Sequence, residues 1–206
     1  MCSAVAMSAP TYAAAVMSST LARLVREEDV EQQPPRLVDG ALFDLAHARL
    51  VLGHVRDRER ALRNIVHAVR LGGWVLIEDV DFLWTELGEQ PLYPEDRMTP
   101  YFHVWSEVVR LMRERGYAVH FGRRLAGVLR SAGLELVAGE AVMTIGDASL
   151  QRAMRLTIER FATELVAMGR LSEDALHACL CVMDEPDLLF TGSPMFSVWG
   201  RRREHS

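Results

Sequence analysis

An apolar stripe of helical period, followed by two glycines and at once by a short apolar run, constrains this chain more than any other feature. Leu62, Ile65, Val66 and Val69 recur at i, i+3, i+4 and i+7, the spacing of one buried helix face. Asp57 ahead of them suits an N-cap, with Glu59 in the first turn, where the helix dipole favours negative charge. Gly72 and Gly73 then read as the left-handed close of that helix. "WVLIE" (74–78) is too short and too continuously apolar for a surface helix, and it suits a strand buried on both faces. A second apolar run, "ALFDLAHARLVL" (41–52), holds a strand near Leu42–His47. Strand, helix and strand in close succession imply a right-handed βαβ unit and a parallel sheet.

The remaining chain fills in around that unit. Residues 11–31 read as one helix, broken by the consecutive prolines of "QQPPRLVDG". Phe102, Trp105, Val109 and Met112 stripe a helix from near Pro94 to Gly116, and Leu125, Val128, Leu129 and Ala132 stripe another. "LELVAGEAVMTI" (134–145) is strand-like, helices follow at about 149–168 and 172–184, and "SPMFSVWG" (193–200) is a last strand. The expected organisation is an N-terminal helical segment, 1–33, and an α/β domain, 34–206.

Composition mainly excludes. A net charge of −5 and an acidic pI give no electrostatic footprint for nucleic acid. All 23 basic residues are arginine, so neither a lysine Schiff base nor the lysine of a Walker-type phosphate loop is available. No apolar run approaches the ~20 residues of a membrane span, and the N-terminus makes a poor secretion signal, so a cytoplasmic location is expected. Three cysteines (Cys2, Cys179, Cys181) lack metal spacing, as do the seven histidines, and no metal site is expected. Cys179 and Cys181, two apart on a helix, point to different sides. There is no Gly-x-Gly fingerprint, no His-Glu-x-x-His and no Gly-x-Ser-x-Gly elbow.

An open parallel sheet binds ligands beyond the carboxyl ends of its strands. Those ends are His47-Ala48-Arg49 and Glu78-Asp79-Val80-Asp81, delivered to one rim. Asp81 is the carboxylate to weigh for a site, whereas Asp79 reads better as a cap on the following loop. His47 and His54 flank the strand end and are the histidines to weigh. Phe82, Trp84 and Tyr93 suit a small apolar or aromatic ligand, or packing under the next helix.

Taken together, "FDLAHARLVLGHVRDRERALRNIVHAVRLGGWVLIEDVD" resembles the central segment of class I S-adenosylmethionine-dependent methyltransferases of the bacterial small-molecule type. The elements that carry the resemblance are Phe43-Asp44-Leu45, then Arg49, Leu52 and His54, then Arg70-Leu71-Gly72-Gly73, with Leu71 where that family has proline. "FGRRLAGVLRSAGLELV" (121–137) is similar to the family's later helix and sixth strand, and "SPMFSVWGRR" to its closing antiparallel strand. The resemblance implies an α/β fold with a partial Rossmann-like sheet, strands four to seven of the family, parallel with a terminal antiparallel strand and flanked by helices. It further implies that His47, Ala48, Arg49 and Leu50 border the cofactor S-adenosylmethionine, and that Asp81, Phe82 and Trp84 face the substrate. The family's glycine-rich cofactor loop has no counterpart in residues 1–40, which makes the chain look like the C-terminal half of a methyltransferase.

A strand left with one unpaired edge is a pairing hazard. The edge of the 42–47 strand is therefore expected to be covered by the 11–31 helix, by a second copy in a homodimer, or by a partner chain. The expected function is methyl transfer to a small-molecule acceptor, with no nucleic-acid or membrane partner and with His47, His54 or Asp81 as candidate base. The alternative is a catalytically inactive truncated relative serving as a binding or dimerisation module, favoured by the absent glycine loop.

Overall fold

The computed structural model describes residues 4–7, 30–32, 34, 42–82, 95–146 and 148–204. They divide into two compact units. The first comprises Met1–Val80, Phe121–Ala141 and Met195–Ser206, and the second Asp81–His120 and Val142–Pro194.

The first unit is built on a five-stranded sheet. Its strands are β1 (Ala4–Met7), β2 (Phe43–Arg49), β3 (Val69–Val80), β4 (Leu134–Val142) and β5 (Met195–Arg202), in the order β1-β2-β3-β5-β4. β1, β2 and β3 run parallel, and β5 runs antiparallel to β3. This is the α/β fold and the mixed sheet the sequence implies. The open edge of β2 is paired as expected, though by none of the three expected means. β1, from the chain's own N-terminus, bonds alongside Leu45–Ala48. The 11–31 helix lies outside the described residues apart from Val30 and Glu31, which form a turn, and the boundary expected near residue 33 falls among residues likewise outside them.

Between β2 and β3 runs α1 (Arg58–Ala68), capped by the Asp57 side chain, which accepts from the Arg60 N–H at 2.9 Å. Leu62, Ile65, Val66 and Val69 are buried, as the stripe requires, and Ala61 and Ala68 with them. The glycines do something else than expected. α1 ends at Ala68 with Val69 already extended, so Gly72 and Gly73 lie inside β3 and do not close the helix. Residue pairs Phe43–Val69 and Leu45–Trp74 bracket a bulge in which β3 advances five residues against two in β2. Gly72 takes φ +74° within it, and a Cβ on Gly73 would sit 2.7 Å from the Asp44 carbonyl oxygen. The glycines thus serve a kink and a close backbone approach.

One sheet face carries Val75, Ile77, Val198 and Gly200 and is buried. α1 lies on it, because Arg202, which shares that face, donates to the carbonyls of Val66 and His67. A short 3-10 turn (Gly122–Arg124) and α3 (Leu125–Ser131) lead into β4, with Leu125 and Leu129 fully buried.

The second unit is helical. α2 (Glu95–Glu114), α4 (Ala148–Ala167) and α5 (Glu173–Met183) bury Tyr101, Val104, Trp105 and Val108 together with Ile158, Leu165, Cys179 and Met183. The buried stripe of α2 is displaced by one residue at its start from the expected one: Tyr101 is fully buried while Phe102 is half-buried. Arg170 ties α2 to the end of α4 through Glu107 and Glu114, each at 2.8 Å. As expected, Cys179 is buried and Cys181 exposed. Among the described residues no helix is long and apolar enough to cross a membrane, and no group of three or more His, Cys, Asp and Glu could hold a metal.

Candidate functional site

In the first unit, the carboxyl ends of β2 and β3 form a polar network. Glu78 receives His47 Nε2 at 2.8 Å and Arg49 Nη1 at 3.4 Å on one oxygen, and the Ser197 hydroxyl at 2.6 Å on the other. Burial pushes the Glu78 carboxyl upward. The hydrogen bonds from Ser197 and His47 and the charge of Arg49 outweigh it, and the pKa lies below the ordinary 4.5. A carboxyl depressed on folding contributes stability above its unfolded pKa and loses it as pH falls through the folded value. The urea midpoint of Glu78→Gln should therefore fall less steeply than the wild type's as pH drops from about 6 to about 3; parallel curves would contradict this.

The loop after β2 is held firmly. Leu50 takes φ +55°, a strained conformation for a branched side chain, and donates its N–H to the Glu78 carbonyl at 2.9 Å. Ala48 is buried on the α1 side of the sheet, so its backbone alone is available to a ligand. Asp79, fully buried, accepts the Gly53 N–H at 2.8 Å, which is the loop-capping part the sequence suggested for it. His54 is exposed as a residue, yet partial desolvation and the Arg58 guanidinium lower its pKa from 6.5. Of the residues expected to border the cofactor, His47 and Arg49 thus converge on Glu78.

In the second unit, Asp81 is 1% exposed, and its N–H donates to the Pro194 carbonyl at 3.1 Å. Facing it is a residue the sequence reading passed over. His120 Nδ1 lies 3.7 Å from Asp81 Oδ1, while Arg113 Nη2 lies 3.4 Å from His120 Nε2. At 3.7 Å the Nδ1–Oδ1 approach is a close electrostatic contact and not a hydrogen bond. No spacing in the sequence signals this pair. The Phe82 N–H bonds the Val119 carbonyl at 2.9 Å, and that backbone contact brings the 117–120 turn beside Asp81.

Phe82 packs edge-on against Trp105 at 5.5 Å, and Trp105 stacks with Tyr101 at 6.2 Å. Tyr101 in turn meets Phe190 edge-on at 5.3 Å. Phe82 therefore packs beneath α2, the structural alternative raised for it, while Trp84 and Tyr93 lie outside the described residues. The hydroxyls of Tyr101 and Thr191 are buried with no hydrogen-bond partner among the described residues. Each such group costs about 1–3 kcal/mol, which ordinary packing does not explain.

The methyltransferase-domain family matches residues 6–138, well over half of the chain. Methyltransferase str2 of Strobilurus tenacellus is 32% identical over 108 residues, 52% of this chain and 37% of that protein. Methyltransferase str3 of the same organism is 31% identical over 90 residues, 44% of this chain and 30% of that protein. The matched region thus spans about a third of the length of these relatives. Among solved structures, the YcgJ protein from Bacillus subtilis aligns over 86% of this chain and 70% of its own at 14% identity, with a TM-score of 0.45. Phosphoethanolamine N-methyltransferase 2 of Haemonchus contortus, solved with S-adenosyl-L-methionine, aligns over 78% of this chain and 33% of its own at 15% identity and a TM-score of 0.37. The match over residues 6–138 shows the family: the chain belongs to the methyltransferase-domain family.

Proposed function

We propose that this chain transfers a methyl group from S-adenosylmethionine to a small-molecule acceptor, with Asp81 as the base that takes the acceptor's proton. The observation that carries this reading is the buried Asp81 carboxylate with His120 Nδ1 3.7 Å from its Oδ1. When bound, S-adenosylmethionine supplies a methyl group activated by its sulfonium. The donor set at the β2–β3 rim suits such a cation, because the Glu78 carboxyl is held ionised and little exposed. His47 and Arg49 orient Glu78, and the strained Leu50 turn shapes the backbone beside it. Asp81 accepts the proton, and His120 stabilises and orients the Asp81 carboxylate without itself carrying the proton away. The aromatic cluster of Phe82, Trp105 and Tyr101, which begins at the residue after Asp81, supports a neutral, partly apolar acceptor over a charged polymer.

Calorimetric titration of the purified full chain with S-adenosylmethionine and with its demethylated product tests the donor half of the reading. Micromolar affinity for both is expected, and no heat with either at millimolar concentration would refute it. One observation favours the second reading, a non-catalytic binding or dimerisation module: β1 borders the sheet, with no further strand pairing to it among the described residues. Light scattering in the same buffer separates the two, since a dimer without donor binding supports the module.

A further inference from the structure

Taken type by type, the cysteines and the histidines lack metal spacing, but helix α5 of the second unit mixes the two. Its inward face is fixed by Cys179, Val182 and Met183, all buried. Its start is capped by the Ser172 side chain, which accepts the Ala175 N–H at 3.1 Å. That orientation turns His177 and Cys181 outward, where both are exposed. Four positions apart, they are neighbours across one helical turn. Cys179, by contrast, faces the interior, where burial pushes its thiol up to about 12 and keeps it protonated.

The distance between the two outward donor atoms selects the ligand. His177 Nε2 and Cys181 Sγ lie 3.6 Å apart. A zinc ion bound at about 2.3 Å by a thiolate and about 2.1 Å by an imidazole, with the tetrahedral angle between them, holds those atoms about 3.6 Å apart. The helix therefore presents the pair at the spacing the ion requires, and no backbone has to move to close on it. Thiolate with imidazole is also the wrong donor set for magnesium or calcium, which take oxygen ligands, and a good one for zinc. Glu173, one turn before His177 and lining the same groove between α4 and α5, adds negative charge that favours a dication.

We propose that His177 and Cys181 form a two-point clip for a zinc ion on the outer side of α5. Among the described residues no third His, Cys, Asp or Glu joins them, so the two remaining positions of the tetrahedron fall to water. On binding, the Sγ–H proton leaves to the buffer and the sulfur bonds the metal as thiolate, while the Nε2 lone pair makes the second bond. No electron changes hands. With two positions open the ion is exchangeable, unlike the zinc of a closed structural site.

The test uses the full chain carrying Cys2→Ser, which leaves Cys179 and Cys181 as its only thiols. It is titrated with cadmium, which takes the same donors and whose bond to a thiolate absorbs in the ultraviolet. One cadmium per chain should bind with that absorption, and excess zinc should displace it. Cys181→Ser should abolish the band. His177→Gln should weaken binding by at least roughly 10-fold, since losing a ligand costs no less than losing a group that merely orients one. Both side chains are exposed, so far-UV circular dichroism and the titration with S-adenosylmethionine should match the parent in each variant. Unchanged affinity in His177→Gln overturns the proposal, because the thiol alone then accounts for the binding. No band at millimolar cadmium, a band that survives Cys181→Ser, or one metal for every two chains overturns it as well. The metal and donor titrations are independent, so this inference and the methyl-transfer reading can each fail alone.

Discussion

Asp81→Asn should lower the rate of methyl transfer by roughly 10²–10⁴-fold, the range removed with a positioned general base. Asparagine keeps the size of the side chain but cannot accept a proton at neutral pH. Binding of S-adenosylmethionine should be unchanged, since the residues assigned to the donor are His47 to Leu50 and Glu78. His120→Gln should have a smaller effect on the rate, because His120 is assigned an orienting part and not the proton transfer itself. Its Nδ1 lies 3.7 Å from Asp81 Oδ1, and Arg113 Nη2 lies 3.4 Å from its other nitrogen. A methyl-transfer assay with both variants checks this. An Asp81→Asn enzyme within a few-fold of the wild type would remove Asp81 from the chemistry.

Gly73→Ala should destabilise the chain by about 3 kcal/mol, the upper range for forcing extra volume into a packed interior. The added Cβ would lie 2.4 Å from Val69 Cγ1 and 2.7 Å from the Asp44 carbonyl oxygen. Neither neighbour gives way easily, since valine is stiff about its first torsion and the carbonyl belongs to the backbone of β2. Gly127→Ala is the matched control. Gly127 sits in α3 with nothing within 4 Å of the added atom, so helix propensity alone should raise stability by about 0.5–1 kcal/mol. Urea unfolding of both variants gives the comparison. Equal midpoints would mean that the bulge between Phe43 and Leu45 can relax around a methyl group.

That pair of glycines shows where reading along the chain stops. "LGG" after an apolar helical stripe has two local explanations, a helix close or a strand kink, and both require backbone freedom. The choice depends on Asp44, a residue about thirty positions earlier, whose carbonyl approaches Gly73 only once β2 and β3 have paired. The same limit hid His120. Its place beside Asp81 follows from a backbone bond between Phe82 and Val119, and no pattern of side chains announces such a bond. β1 escaped because Ala4–Met7 is four small or flexible residues without alternation, and its strand state exists only through pairing with Leu45–Ala48.

What the sequence determined by itself is the part written in local period: the α1 stripe, the continuous apolar run of β3, the closing strand near 195–202, and helices α2 to α5. Burial of one face enforces these spacings wherever the element lies, so they are visible without knowing its neighbours. Only the tertiary structure decided which groups meet. It set His47, Arg49 and Ser197 on Glu78, Asp79 on the Gly53 loop, and His120 beside Asp81. Each of those contacts joins residues 20 to more than 100 positions apart, and register and crossover hand, which no single segment encodes, bring them within a few ångströms.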